Sequence, residues 1–482
     1  MKRAIAVAVF SLLAATTAGA ADLLSVYQDA LANDPTIRQA DAIRQATREA
    51  KPQAWGSLLP QITGTGSYTR GRTESNQATP LTDPVTFLPI PGAVGSNGSI
   101  LHPKDTRWNI ELRQNLFSWN YWATLKAADA QVAQAEADYR TAQQGLLQRV
   151  AVRYFAVLSA QDALEAQQVA LEAFNRQLDQ ANKRFEVGLI AITDVQETKA
   201  TRDQYTANVI GAKRTLATAE EQLREVTGQK YDQLSRPGAE MALAAPQPAD
   251  EQAWVDMSMD QNTALLSSRL ASDIARENVR IAFGGHLPVL DAVADYGHSK
   301  GNGSAELTRY GAFDPFPSSG ETKTYGLQVQ VPIFAGGRTQ SKVREQQFRW
   351  IAAKEQVTAT SRQTERLARD AYLGVISEMA RVEALKQGFE SSQTSLKATE
   401  AGYDVGTRTS VDVLDQRRLL VNAQTAYLQS RYDYLQNVVA LRLAAGNLDA
   451  QTLEELNRLL TEKVSAAPTQ PGVPVPVPTP RN

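Results

Sequence analysis

The chain of 482 residues contains no cysteine. That excludes a disulfide framework, a thiolate metal site, a cysteine nucleophile and a lipidated N-terminal Cys. Histidine is almost as scarce. His102, His286 and His298 are scattered, so neither a histidine metal site nor a catalytic triad has material to draw on. An excess of one charge is missing too: 50 Lys+Arg stand against 52 Asp+Glu, and a net charge of −2 provides no basic field for nucleic acid. No glycine loop is built to cradle phosphate, and Gly336-Gly337-Arg338 merely opens a helix after a strand. Neither an enzyme nor a cofactor is expected. Beyond the first twenty residues there is no long hydrophobic run. The longest charge-free stretch, Val85 to His102, holds Pro89, Pro91, Gly92, Gly95 and Gly98, which forbid a transmembrane helix. The 43 % apolar content nevertheless rules out general disorder.

The ends of the chain carry their own signals. Lys2 and Arg3 precede an apolar run from Ala4 to Ala15 and then Ala18-Gly19-Ala20, the pattern of a cleavable signal peptide over residues 1–20. The exported chain is then periplasmic, secreted, or an outer-membrane β-barrel. Residues 468–482 hold six Pro in 15, which predicts an extended, disordered tail.

Between the ends the sequence repeats. Leu59-Pro60-Gln61-Ile62 up to Tyr68 resembles Leu287-Pro288-Val289-Leu290 up to Tyr296, at a shift of 228. Trp108-Asn109-Ile110-Glu111-Leu112 matches Tyr325-Gly326-Leu327-Gln328-Val329 at a shift of 217, and Val187-Gly188 with Asp194-Val195 matches Val405-Gly406 with Asp412-Val413 at 218. The first copy therefore carries a loop 11 residues longer. Residues 21–235 are read as the first repeat and 251–447 as the second, joined by a Pro/Ala-rich linker over 236–250. Residues 448–467 follow as a short additional segment.

Each copy orders its elements as helix, strand, loop, strand, long helix, Gly turn, long helix. Strands are expected at about 58–71 and 106–117, and again at about 287–299 and 322–334. Ile110, Leu112, Leu327, Val329 and Val331 alternate with Glu111, Arg113, Gln328 and Gln330. Strands of about 10 residues suit a tilted bilayer crossing. Four of them cannot close a barrel, and an open edge in lipid is forbidden. Either several copies pool strands, or this is a half-buried sheet of a soluble protein; the pattern alone allows both. The helical hairpins, about 118–228 and 336–446, run on a stride of seven. Val157, Leu164, Leu171, Leu178 and Phe185 are matched by Val375, Val382, Phe389, Leu396 and Tyr403. Such a stride predicts left-handed coiled-coil packing, and helices this long need neighbours.

Two segments carry a resemblance. Residues 184–196, Arg-Phe-Glu-Val-Gly-Leu-Ile-Ala-Ile-Thr-Asp-Val-Gln, and residues 402–415, Gly-Tyr-Asp-Val-Gly-Thr-Arg-Thr-Ser-Val-Asp-Val-Leu-Asp, resemble the TolC family of outer-membrane channel-tunnels. Together with the repeat, the resemblance covers about 22–460. It implies an α+β membrane protein: a homotrimer with a 12-stranded β-barrel in outer-membrane lipid, continuous with a 12-helix α-barrel in the periplasm. It implies an exit duct for type I protein secretion, multidrug efflux or both. The implied partners are a periplasmic adaptor (membrane fusion) protein and an inner-membrane ABC or proton-driven transporter. Residues 448–467 would then belong to an equatorial belt.

At the expected periplasmic tip, Gly188 and Gly406 permit a left-handed backbone between helices. Asp412 and Asp415 are three apart and share a helix face, as do their repeat partners Asp194 and Glu197. In a trimer these carboxylates would crowd one level and concentrate cations. They could equally serve the helix dipole, and Thr193 with Gln196 reads as a capping box. The resemblance assigns Asp412 and Asp415 to the family's selectivity ring and Asp194 to its gate; Glu197 has only the repeat behind it. The copies also differ, with Tyr403 for Phe185 and Arg408 for Ile190. The resemblance implies that Tyr403 and Arg408 bond to Thr193 and Asp194 and hold the entrance shut. A periplasmic coiled-coil adaptor or scaffold is the rival reading, although it would lack the two strand pairs.

Overall fold

The computed structural model describes residues 21–238, 240–307, 311–313 and 317–465. The expected signal peptide (1–20) and Pro-rich tail (468–482) lie outside the described residues. The first repeat runs α1 (Leu23–Asn33), α2 (Pro35–Arg48), α3 (Ala50–Gly56), β1 (Gln61–Arg70), β2 (Thr73–Thr82), β3 (Pro89–Phe117), α4 (Trp119–Glu186), α5 (Ile192–Thr227) and β4 (Gln233–Arg236). The second runs α6 (Glu251–Gln261), α7 (Thr263–Gly284), β5 (Val289–Leu307), β6 (Gly311–Phe313), β7 (Ser318–Gln330), α8 (Arg338–Asp404) and α9 (Ser410–Ala445), followed by α10 (Ala450–Asn457) and β8 (Glu462–Ser465). The chain is an internal duplication of a strand pair followed by a long helical hairpin. α4 has 68 residues and α8 has 67, which at 1.5 Å per residue makes each about 100 Å long.

The chain divides into two units. One comprises Ala46–Ala133 and Leu270–Lys354 and contains the large sheet. Its strands are antiparallel in the order β1-β3-β5-β7, with β2 continuing beside the first half of β3 and β6 beside the end of β5. Gln61 pairs with Arg113, Arg113 with Val293, and Val289 with Gln330. The alternation of the sequence becomes two chemically distinct faces. On one, the Asn109 side chain amide donates to Asp295 Oδ1 at 2.7 Å, Asn115 donates to Asp291 at 2.9 Å, and Thr65 bonds to Asn109. The other face carries Ile62 (69 % exposed), Tyr325 (91 %) and Leu327 (70 %). No layer of this unit covers that apolar face.

Three strands differ from expectation, and the one expected at 287–299 runs on to Leu307. The strand expected at 106–117 begins at Pro89, so most of the supposed Gly/Pro-rich loop is β-ribbon. Its prolines are accommodated by irregularity: the ladder jumps from Thr82↔Pro89 to Pro80↔Val94, and Pro91 and Gly92 (φ 75°) fall in the gap. The strand expected at 322–334 is Ser318–Gln330. Pro332 lacks the N–H that would continue the ladder.

The other unit comprises, among the described residues, those up to Gln45, Gln134–Arg269, and those from Glu355 onward. Of the stride-of-seven positions, Val157, Leu164, Val375 and Val382 are buried here in one core with Leu216, Leu223, Tyr434 and Leu441 of α5 and α9. Near the linker the core thickens around Trp254, Tyr154, Phe155 and Tyr432. β4 and β8 pair antiparallel beside it, Gln233 opposite Ser465. Tyr154 secures this small sheet, its hydroxyl donating to the Ser235 carbonyl at 2.6 Å and accepting from the Ser235 N–H at 3.0 Å. Tyr432 donates its hydroxyl to the buried Asp162 at 2.6 Å, and Arg236 donates to the same carboxylate at 3.1 Å. No helix among the described residues is long and apolar enough to cross a membrane.

Candidate functional site

The two hairpin turns are built alike. In the first, the Leu189 N–H donates to the Arg184 carbonyl (2.8 Å) and the Gly188 N–H to Phe185 (2.9 Å). In the second, Thr407 donates to Gly402 (2.8 Å) and Gly406 to Tyr403 (3.1 Å). Both glycines are left-handed, Gly188 at φ 76° and Gly406 at φ 82°, which lets the last carbonyls of α4 and α8 find donors. Val187, Leu189 and Val405 stand exposed at these turns.

The copies part company at several aligned positions. Where the first turn has Arg184, the second has Gly402. A Cβ there would come within 2.9 Å of Arg408 Cγ, so the missing side chain lets the Arg408 stem lie against α8. The Arg408 N–H donates to the Gly402 carbonyl at 3.2 Å, and Thr407 Oγ1 donates to it at 3.0 Å. Where the first turn has Phe185, the second has Tyr403. Its ring receives the Arg184 guanidinium, 4.7 Å from the centroid, across the two hairpins of one chain. Local sequence gives Arg184 no role, because a contact 219 positions away leaves no mark in local spacing.

The anticipated gate residues are only partly brought together. Among the described residues of one chain, Tyr403 and Arg408 make no side-chain hydrogen bond to Thr193 or Asp194. Thr193 Oγ1 lies 3.5 Å from the neighbouring Asp194 Oδ1. The capping box expected at Thr193 and Gln196 is absent, since α5 begins at Ile192 with Ala191 at its cap and no side-chain bond. The box belongs to the second copy. There the Thr409 hydroxyl accepts from the Asp412 N–H (3.2 Å), and Asp412 Oδ2 accepts from both the N–H and the hydroxyl of Thr409 (2.9 Å each). The repeat shift aligns Thr409 with Ala191, whose methyl group cannot accept a bond.

Asp412 is therefore both a helix cap and a member of the anticipated ring. The Thr409 N–H and then its hydroxyl, bonding to the charged form, hold the Asp412 carboxyl below the usual range, so it is ionised at neutral pH. Asp415 is exposed one turn on, and Arg418 Nη1 lies 3.3 Å from its Oδ1. Arg417 reaches across the hairpin to Glu400, and Ser395 Oγ donates to Gln416 at 2.9 Å. Glu197 has no ion-pair partner among the described residues. No group of His, Asp or Glu among the described residues is arranged to hold a metal.

A duplicated sheet with an uncovered apolar face, joined in sequence to coiled-coil hairpins of this length, defines a membrane channel fold. Solved structures share it. The outer membrane protein VceC of Vibrio cholerae superposes with a TM-score of 0.68 at 19 % identity, over 89 % of this chain and 97 % of that one. The CmeC outer membrane channel of Campylobacter jejuni gives 0.67 at 18 %, over 91 % and 90 %. The family model described as "Outer membrane efflux protein" matches residues 26–229 and 254–447, once for each repeat. The chain belongs to the outer membrane efflux protein family. It is 36 % identical to outer membrane protein TolC of Escherichia coli K12 over 455 residues, 93 % of this chain and 87 % of that protein. It is 29 % identical to the alkaline protease secretion protein AprF of Pseudomonas aeruginosa, over 92 % and 88 %.

Proposed function

We propose that this protein is an outer-membrane exit duct for exported cargo, passive in itself and assembled from three copies. The carrying observation is the sheet. β1 and β7 are free edges exposed along their whole length, and the apolar face beside them has nothing to pack on. Lipid would cover that face, but lipid cannot satisfy an open edge. Pairing β7 of one copy with β1 of the next removes both edges. Three copies give 12 strands, enough for a barrel whose polar face lines water, and their long helices give a 12-helix α-barrel.

The entrance lies at the Gly188 and Gly406 turns. Tyr403 and Arg408 hold it closed against Thr193 and Asp194 of a neighbouring hairpin. The Arg408 side chain supports this, since its stem lies on Gly402 while its head makes no ion pair within 4 Å among the described residues. Opening is an untwisting of the second hairpin, driven by a periplasmic adaptor and an inner-membrane transporter, because the duct has no energy source of its own. The exposed Val187, Leu189 and Val405 offer the adaptor its surface. Asp412 and Asp415 form a cation-selecting ring. The relative named as a protease secretion protein supports protein cargo, and the efflux name of the family supports small molecules.

Membrane extraction followed by gel migration with and without heating tests this reading. A heat-modifiable trimer is expected. A stable water-soluble monomer would overturn it.

A further inference from the structure

We infer that Arg418 is a second determinant of ion selectivity at the entrance, acting by cancelling the charge of Asp415. The inference rests on the ring reading above and refines it. Asp412, Asp415 and Arg418 follow one another at intervals of three on α9, so Arg418 sits one turn beyond Asp415 on the same side of the helix. Its guanidinium lies 3.3 Å from the Asp415 carboxylate. At the repeat shift of 218 the first hairpin has Lys199 and Ala200 where the second has Arg417 and Arg418. A cation three residues beyond the carboxylate, one helical turn on, is thus peculiar to the second hairpin. Arg417 does not compete for Asp415, because it is committed to Glu400 on α8.

The pair changes what the ring presents to an ion. Both partners are more than half exposed, so the pair adds little to stability. Its field, however, falls off as a dipole rather than as a charge. Asp412 is held ionised by the Thr409 bonds to its carboxylate; the Arg408 cation also acts on it, but no ion pair within 4 Å joins them among the described residues. The operative ring is therefore Asp412, and Asp415 mainly keeps Arg418 from opposing it. Removing Asp415 alone leaves Arg418 unpaired, so that its cation opposes Asp412 at nearly the same level.

Reversal potentials across planar bilayers in a KCl gradient test this, using the full trimer and four variants. Arg418→Gln frees Asp415 and is expected to raise the cation-to-anion permeability ratio by about threefold or more, taking three charges about 8 Å from the ion and one Debye length of screening. Asp415→Asn is expected to lower the ratio about as far as Asp412→Asn does, since each removes one negative charge per copy and Asp415→Asn leaves Arg418 opposing Asp412. Asp415→Asn combined with Arg418→Gln is expected to return close to the parent. If neither aspartate variant shifts the reversal potential, the ring reading itself falls. If they shift it but Arg418→Gln does not, or the double variant stays with Asp415→Asn, Arg418 is no determinant and the inference falls alone.

Discussion

Tyr403 offers two handles to a neighbour, a hydroxyl and a ring, and they make different predictions. The family resemblance assigns the hydroxyl to the closed gate, whereas the structure puts the ring under the Arg184 guanidinium at 4.7 Å. A cation over an aromatic face is worth about 0.5–1 kcal/mol when exposed and about 2 when desolvated. Arg184 and Tyr403 are both half-buried, so about 1 kcal/mol per copy is a fair value. In the proposed trimer, with the copies opening together, their sum shifts the closed-to-open ratio by roughly a hundredfold. Single-channel recording of Arg184→Ala, Tyr403→Ala and Tyr403→Phe separates the handles. Arg184→Ala and Tyr403→Ala should both lengthen open dwell times, whereas Tyr403→Phe keeps the ring and should stay near the parent. Equal opening by Tyr403→Phe and Tyr403→Ala would refute the stacking argument and return the tie to the hydroxyl.

Three further outcomes follow from the geometry. Asp34, almost fully buried, works against burial by accepting bonds from Thr36 and from Arg149 at 2.8 Å, which together hold its carboxyl below the usual range. Its contribution is present above the ordinary carboxylate range and lost as pH falls through the depressed value. Asp34→Asn should therefore cost about 1–2 kcal/mol at neutral pH, with the gap in thermal midpoint to the parent closing under acid. Gly406→Ala should cost only about 1–2 kcal/mol of backbone strain, since nothing lies within 4 Å of the added Cβ. Gly446→Ala meets the Gln261 carbonyl oxygen at 2.5 Å and should be clearly worse in the same melting experiment. Tyr432→Phe leaves Asp162 buried without its 2.6 Å donor and should cost about 1–3 kcal/mol in chemical unfolding.

Much of the architecture was legible because it repeats at short range. A stride of seven is a local property, and several residues on it, Val157, Leu164, Val375 and Val382 among them, are buried between helices, although Phe185 at its end is exposed. The turn glycines were legible for the same reason, a left-handed residue being a demand of the backbone at that position alone. The long β3 was not. Its Gly and Pro content argues for a loop until β2 and β5 supply partners for its backbone, with a bulge to absorb Pro91 and Gly92.

Within the candidate site the division is similar. Composition, the duplication and the spacing of Asp412 and Asp415 belong to the sequence alone, because each depends on residue identity and short intervals along one helix. Which carboxylate caps α9, which one is cancelled by Arg418, and whether Tyr403 works through its ring depend on the direction of side chains in space. The 219 residues that separate Arg184 from Tyr403 are spanned only when the two hairpins pack side by side. Contacts of that kind are selected by the energy of the folded arrangement, and no local pattern in the chain needs to announce them.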